Sequence, residues 1–246
     1  MDKDHFLALA KARRFVLILS PVNQIAPRIR VDPDRAVPFA ARARDAQNAG
    51  IPIVEIWDLN SSPLNVSVGI NHFDCGCDMG RFLIGCGYRA LGYVGTSHDI
   101  ANAATARLEG FTKPVRDGGG SVRKQLCLQD TASFYPGFYG TEQLLSSGAQ
   151  VECIFYQNDS MAFGGLHFCT QRGLDVPGDM GIAGWGDLPV ASLLKQRPTS
   201  VHVPHLKLGQ AAAEMMVARL SGEAVHPCRA IEFPLIPGAS VRHCSV

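Results

Sequence analysis

His72, His202 and His205, together with Asp74, are the side chains in this sequence whose types could gather a metal ion. No two of the histidines have the i, i+4 spacing that places both on one helix face, as a zinc peptidase motif requires, so they read as scattered structural residues. Ser160 and Ser133 could serve as nucleophiles, but neither stands in a G-x-S-x-G elbow. Glycine-rich phosphate cradles of the G-x-G-x-x-G and G-x-x-x-x-G-K-[ST] types do not occur where a nucleotide needs them. Cys75-Gly-Cys77 has the wrong spacing for a redox pair or a zinc knuckle, and the eight cysteines lack a compact secreted framework. They read as reduced thiols. Neither catalysis nor a metal or other cofactor is expected.

Elements that could position a binding site are easier to find. Apolar, β-rich runs at 15–19, 51–57, 90–95, 124–128, 151–156, 180–185, 199–203 and 230–235 alternate with segments of helical period. The helices are expected at about 36–49, 73–86, 103–117, 137–147, 159–172 and 206–221. That alternation predicts an α/β protein with largely parallel sheets, and the nearly all-apolar strands predict cover on both faces. Asp159 is placed to cap the helix that follows it, and Gly173 to end that helix in a left-handed turn. Residues 20–35 read as a Pro-rich loop.

Composition bounds the partners. At 246 residues with 46% hydrophobic and 18% charged side chains, the chain can bury a sizeable core. Twenty-three basic against 22 acidic residues leave a formal charge of +1, which gives no summed field to attract nucleic acid or an anionic membrane. No stretch reaches the roughly 18 apolar residues of a membrane span. The first twenty residues lack a secretory cleavage pattern, so a cytoplasmic protein is expected.

Four stretches, in consistent order, resemble the effector-binding core of the LacI/GalR family of transcription regulators. They are AGIPIVEIWDL (49–59), VGINHFDCGCDMGRFLIGCGYRALGYVG (68–95), Arg107-Leu108-Glu109-Gly110-Phe111, and FYQNDSMAFGGLHFCTQRGLDVPGDMGIAGWGD (155–187). The likeness continues through RPTSVHVP and LGQAAAEMMVARLSGE. It implies a two-lobed periplasmic-binding-protein-like (type I) fold. The N-terminal lobe would hold 1–71 with 204–226, the C-terminal lobe 72–203 with 227–246, and the effector would lie in a cleft between them. It also implies that Asp58, Arg107 and Asn158 hold effector hydroxyls or charged groups, with Trp185 against an apolar sugar face and Phe134 and Tyr135 nearby. Asp58, Asn158 and Trp185 fall at carboxyl ends of expected strands, where open α/β sheets bind ligands.

Each of these residues also has a structural reading. Asn158 could bond its own backbone at the strand-to-helix turn, and Arg107 could be a helix residue paired with Glu109. Trp185 could be core, and Asp58 could cap the loop at 60–63. Where relatives place an acidic residue after the aromatic of Gly-Phe-x-Asp, this sequence has Gly186 after Trp185, with Asp187 one later. Losing that carboxylate while keeping Arg107 favours a sugar acid, in line with the likeness of IPIVEIWDL to gluconate-operon repressors of the family. The resemblance further implies a homodimer. It places DNA contact in a helix-turn-helix headpiece of about sixty residues that this sequence is expected to lack. The opening strand and helix of the first lobe are expected to be missing too, leaving a truncated lobe with an exposed edge. A free-standing sugar-binding transport protein is the alternative.

Overall fold

The structure is a computed structural model that describes residues 17–19, 45–59, 63–96 and 102–244. The loop expected at 20–35 and most of the helix expected at 36–49 lie outside the described residues. In chain order the elements are β1 (Leu17–Leu19), β2 (Ile53–Asp58), β3 (Val66–Ile70), α1 (His72–Gly85), β4 (Ala90–Thr96), α2 (Asn102–Asp117), β5 (Ser121–Leu128) and α3 (Phe134–Ser146). There follow β6 (Cys153–Tyr156), α4 (Asp159–Arg172), β7 (Gly181–Ala183), β8 (Ser200–Val201), α5 (His205–Leu220), β9 (Cys228–Ala230) and β10 (Leu235–Ile236). A 3-10 turn at Pro189–Leu193 separates β7 from β8. This is an α/β fold of parallel sheets flanked by helices.

The chain divides into two compact units, one of residues 1–71 and 204–232, the other of 72–203 and 233–246. In the first, β1, β2, β3 and β9 pair in that order, all parallel. Strand β3 is buried throughout, and α5 turns Leu208, Ala211, Ala212, Met215 and Met216 inward. Residues 227–232 belong here and not with the C-terminal lobe, because β9 takes its backbone partners from β3. The strand expected at 230–235 is therefore two: β9 ends at Ala230, and β10 forms an antiparallel pair with β8 in the second unit.

In the second unit the parallel order is β5-β4-β6-β7. The chain passes from β4 outward to β5, then returns to place β6 on the other side of β4. The carboxyl ends of β4 and β6 thus form the switch point at which such sheets bind ligands. Strand β6 is buried at every position, whereas edge strand β5 alternates between half-buried and exposed. Leu144, Ile154, Met161 and Ile182 are fully buried in its core, each worth about 1.5–3 kcal/mol of burial.

Two helix crossings fix where side chains fall. A Cβ added at Gly76 of α1 would overlap the Arg107 carbonyl, and one at Gly110 of α2 would overlap that of Phe73, so these helices touch backbone to backbone. Gly137 and Gly164 do the same for α3 and α4. The thiols are not all reduced. Cys86, just past α1, and Cys244, near the end of the chain, form a disulfide across 158 residues with Cα atoms 4.0 Å apart. Their separation in sequence hides a pairing that only the fold creates.

Candidate functional site

The switch point of the second unit is occupied by Gln157, the residue that follows β6. Its backbone N–H donates to the Val94 carbonyl at 3.0 Å, and its side-chain oxygen accepts the Thr96 N–H at 2.7 Å. The ends of β4 and β6 are thereby tied together.

Arg107 reaches this point from α2 and is only 5% exposed. Its Nη1 lies 3.0 Å from Nδ1 of His72, its Nη2 donates to the Gln157 carbonyl at 3.5 Å, and its guanidinium carbon stands 4.2 Å from the centre of the Trp185 ring. Because arginine only donates, His72 Nδ1 must accept and the imidazole proton sits on Nε2. The close approach of α1 and α2 at Gly76 and Gly110 is what brings His72 within reach.

Trp185, beyond β7, is 6% exposed and donates its indole N–H to Cys75 Sγ at 3.3 Å. The rings of His72 and Phe233 lie 5.8 and 6.3 Å from it. Burial pushes the Cys75 thiol above its ordinary pKa, against the lowering effects of the Trp185 bond and the Arg107 charge. Cys75 is thus a neutral packing partner. Arg107 and Trp185 are brought together by the fold, and they are joined by His72 and Cys75, which the sequence offered only as metal-ligand and thiol candidates, and by Gln157, which it did not single out. Nothing in residue type or spacing pointed His72 or Cys75 to this cluster, because their side-chain partners are 35 and 110 residues away.

Asn158 is the N-cap of α4: its Oδ1 accepts the Met161 N–H and its Nδ2 donates to the Ala132 carbonyl, both at 2.9 Å. The capping role expected of Asp159 therefore falls one residue earlier. Asp159 lies inside the helix, where its buried carboxylate accepts from the Ser200 hydroxyl at 2.7 Å and the Leu188 N–H at 2.9 Å. Burial raises its pKa, and those two bonds lower it in part.

Asp187, one place beyond Gly186, pairs with Arg197 at 2.7 Å and with His202 Nδ1 at 2.9 Å. Gly186 has φ 131°, a conformation that side chains disfavour, so an acidic residue there would be strained. Phe134 and Tyr135 open α3, where Phe134 stands 5.6 Å from the His167 ring and lines a groove of about 700 Å³ with Leu166, Val190 and Leu194. In the first unit, Asp58 ends β2 and its carbonyl accepts the Ser67 hydroxyl at 3.0 Å, next to Trp57, whose ring stacks on His205 at 5.5 Å. Residues 60–62 of the loop it was expected to cap lie outside the described residues. Among the described residues no group of three or more His, Cys, Asp and Glu could hold a metal, and no helix is long and apolar enough to cross a membrane.

Two units of parallel sheet flanked by helices, each built from separated chain segments, define the class of α/β proteins to which the periplasmic binding proteins belong. The chain belongs to the periplasmic binding protein-like domain family, whose pattern matches residues 81–241. Its relatives are LacI-family transcription regulators. The HTH-type transcriptional regulator GntR of Escherichia coli (strain K12) is 31% identical over 194 residues, covering 78% of this chain and 58% of that protein. The HTH-type transcriptional repressor PurR of Pectobacterium carotovorum is 27% identical over 174 residues, 70% of this chain and 51% of that one. A LacI-family regulator structure from Silicibacter pomeroyi superposes with a TM-score of 0.77 at 26% identity, over 92% of this chain and 64% of that chain. Regulator GntR of Chromobacterium violaceum shares the fold, with a TM-score of 0.79 at 21% identity over 97% of this chain and 83% of that chain. The chain is thus a LacI-family effector-binding core, and it spans little more than half the length of the curated relatives it matches.

Proposed function

We propose that this core senses a small sugar acid of the gluconate kind and relays its binding to DNA affinity in a cytoplasmic, dimeric regulator, without catalysing a reaction. Arg107 carries this reading. A buried guanidinium beside the ends of β4 and β6, positioned by an imidazole, a carbonyl and an indole face, has the planar fork of donors that recognises a carboxylate. Gly186 stands where relatives hold an acid, which removes one competitor for that cation.

Asn158 uses its oxygen and one amide hydrogen in the fold, which leaves the second amide hydrogen for an effector hydroxyl. Asp58, at the end of β2, is the hydroxyl acceptor contributed by the first unit, and Trp185 offers an apolar face. Residues 1–71 with 204–232 make one lobe, the remainder the other. Effector binding favours one arrangement of the lobes and so shifts the population able to bind DNA through a helix-turn-helix headpiece.

Titration calorimetry tests this. A hydrogen bond to a charged group contributes about 1.5–3 kcal/mol, so gluconate should bind roughly 10- to 100-fold more tightly than glucose. Tight binding of glucose with none of gluconate or another aldonate would refute the sugar-acid reading.

A further inference from the structure

We propose that Cys86 and Cys244 form a thiol–disulfide switch that acts on the Arg107–Trp185 cluster, with low-molecular-weight disulfides such as glutathione disulfide as its oxidant.

Two chain segments run from the cluster to this pair. The first is α1: its opening turn carries His72, bonded to Arg107, and Cys75, bonded to the Trp185 indole, and Cys86 follows its last residue. The second is the C-terminal segment, which starts with Phe233 stacked on Trp185 and ends at Cys244. Along the way the segment is pinned at Ser240, whose N–H and hydroxyl reach the Arg197 and Ile182 carbonyls.

A polar clamp brings the two ends together before any sulfur reacts. The Arg242 N–H donates to the Tyr88 hydroxyl at 2.9 Å, its guanidinium lies 4.6 Å from the Tyr88 ring centre, and its Nη1 is 3.4 Å from Glu152. Glu152 in turn accepts the N–H groups of Arg89 and Ala90 at 2.7 and 2.8 Å, just past Cys86. Cys244, two residues beyond Arg242, is thus delivered to Cys86. The disulfide closes a circuit of helix, clamp and tail around the cluster, so its formation or loss changes how tightly both segments are held.

The chemistry balances. The Cys244 thiolate, the more exposed of the two, attacks one sulfur of glutathione disulfide and expels one glutathione thiolate, leaving a mixed disulfide on Cys244. The Cys86 thiolate then attacks the Cys244 sulfur and expels the second glutathione. Two protein thiols lose two electrons, the small disulfide gains them, and the two protons pass to the released thiolates. A dithiol reductant reverses the sequence.

The full chain tests this with two readouts. Thiol titration in denaturant should count six free thiols after equilibration with glutathione disulfide and eight after dithiothreitol, with the Cys86–Cys244 link located by peptide mapping. Because Trp57 and Trp185 are the only tryptophans, Trp57→Phe makes Trp185 the sole indole reporter. Reduction should red-shift its emission and lower Tm by about 5–10 °C. In the same background, Cys86→Ser with Cys244→Ser should hold the reduced emission in both buffers. Eight thiols in the oxidising buffer would overturn the switch. Six thiols with unchanged Trp185 emission would overturn its link to the cluster.

Discussion

Burying the Arg107 charge is costly unless its hydrogen-bonding capacity is met, and His72 meets part of it. An imidazole is suited to this because one ring nitrogen can accept while the other keeps its proton. His72→Leu removes the acceptor, and aldonate affinity should fall about 10-fold, the loss expected for one hydrogen bond to a charged group. His72→Asn restores an acceptor near the Nδ1 position and should stay within about threefold of the parent. Calorimetry on the two variants separates positioning from packing: equal losses in both would mean that the ring merely fills space. Asn158 shows why residue type alone could not decide such roles. The dipeptide Asn158-Asp159 offered two carboxamide or carboxylate side chains at a helix start, and backbone geometry assigned the cap to the first and the tie to Ser200 and Leu188 to the second.

Helices α1 and α2 can set this geometry only because glycine lets their backbones touch. Gly110→Val would drive a branched side chain into the Phe73 carbonyl, which backbone movement alone can relieve. The expected cost is about 2–3 kcal/mol, the upper part of the overpacking range, measured as a lower urea midpoint with unchanged slope. At this scale the sequence was most informative. Apolar runs such as CIFY declared the central strands, and Gly173, at φ 69°, ends α4 where its type predicted. Failures came where local signals conflict with partners distant in the chain. VSVGI at 66–70, of which only 68–70 fall in a family motif, is missing from the expected strands and is the fully buried strand β3, while the run at 230–235 is split by the passage of the chain between its two units. The same limit hid the His72–Arg107 bond and the Cys86–Cys244 link. Phe134 and Tyr135, which the resemblance had placed near the effector, open α3, where Phe134 lines a groove on the second unit.

That groove bears on the molecule as a whole. Leu188, Val190, Leu193 and Leu194 follow one another around the 3-10 turn with exposures of 37, 49, 82 and 38%, and Phe134 and Tyr135 lie exposed at the start of α3. A run of large apolar side chains this open is uncommon on a monomer and has the aromatic and aliphatic character of an interface core. A formal charge of +1 offers little repulsion between copies. We propose that the homodimer implied by the resemblance forms through this surface. Leu193→Asp puts a charge at the most exposed position of the patch, where it meets solvent in a monomer and apolar surface in a dimer. Light scattering at micromolar concentration should find the parent chain dimeric and the variant monomeric, with the variant's Tm in dilute solution unchanged. A monomeric parent would remove the dimer from the proposal, and a dimeric variant would move the interface to another face.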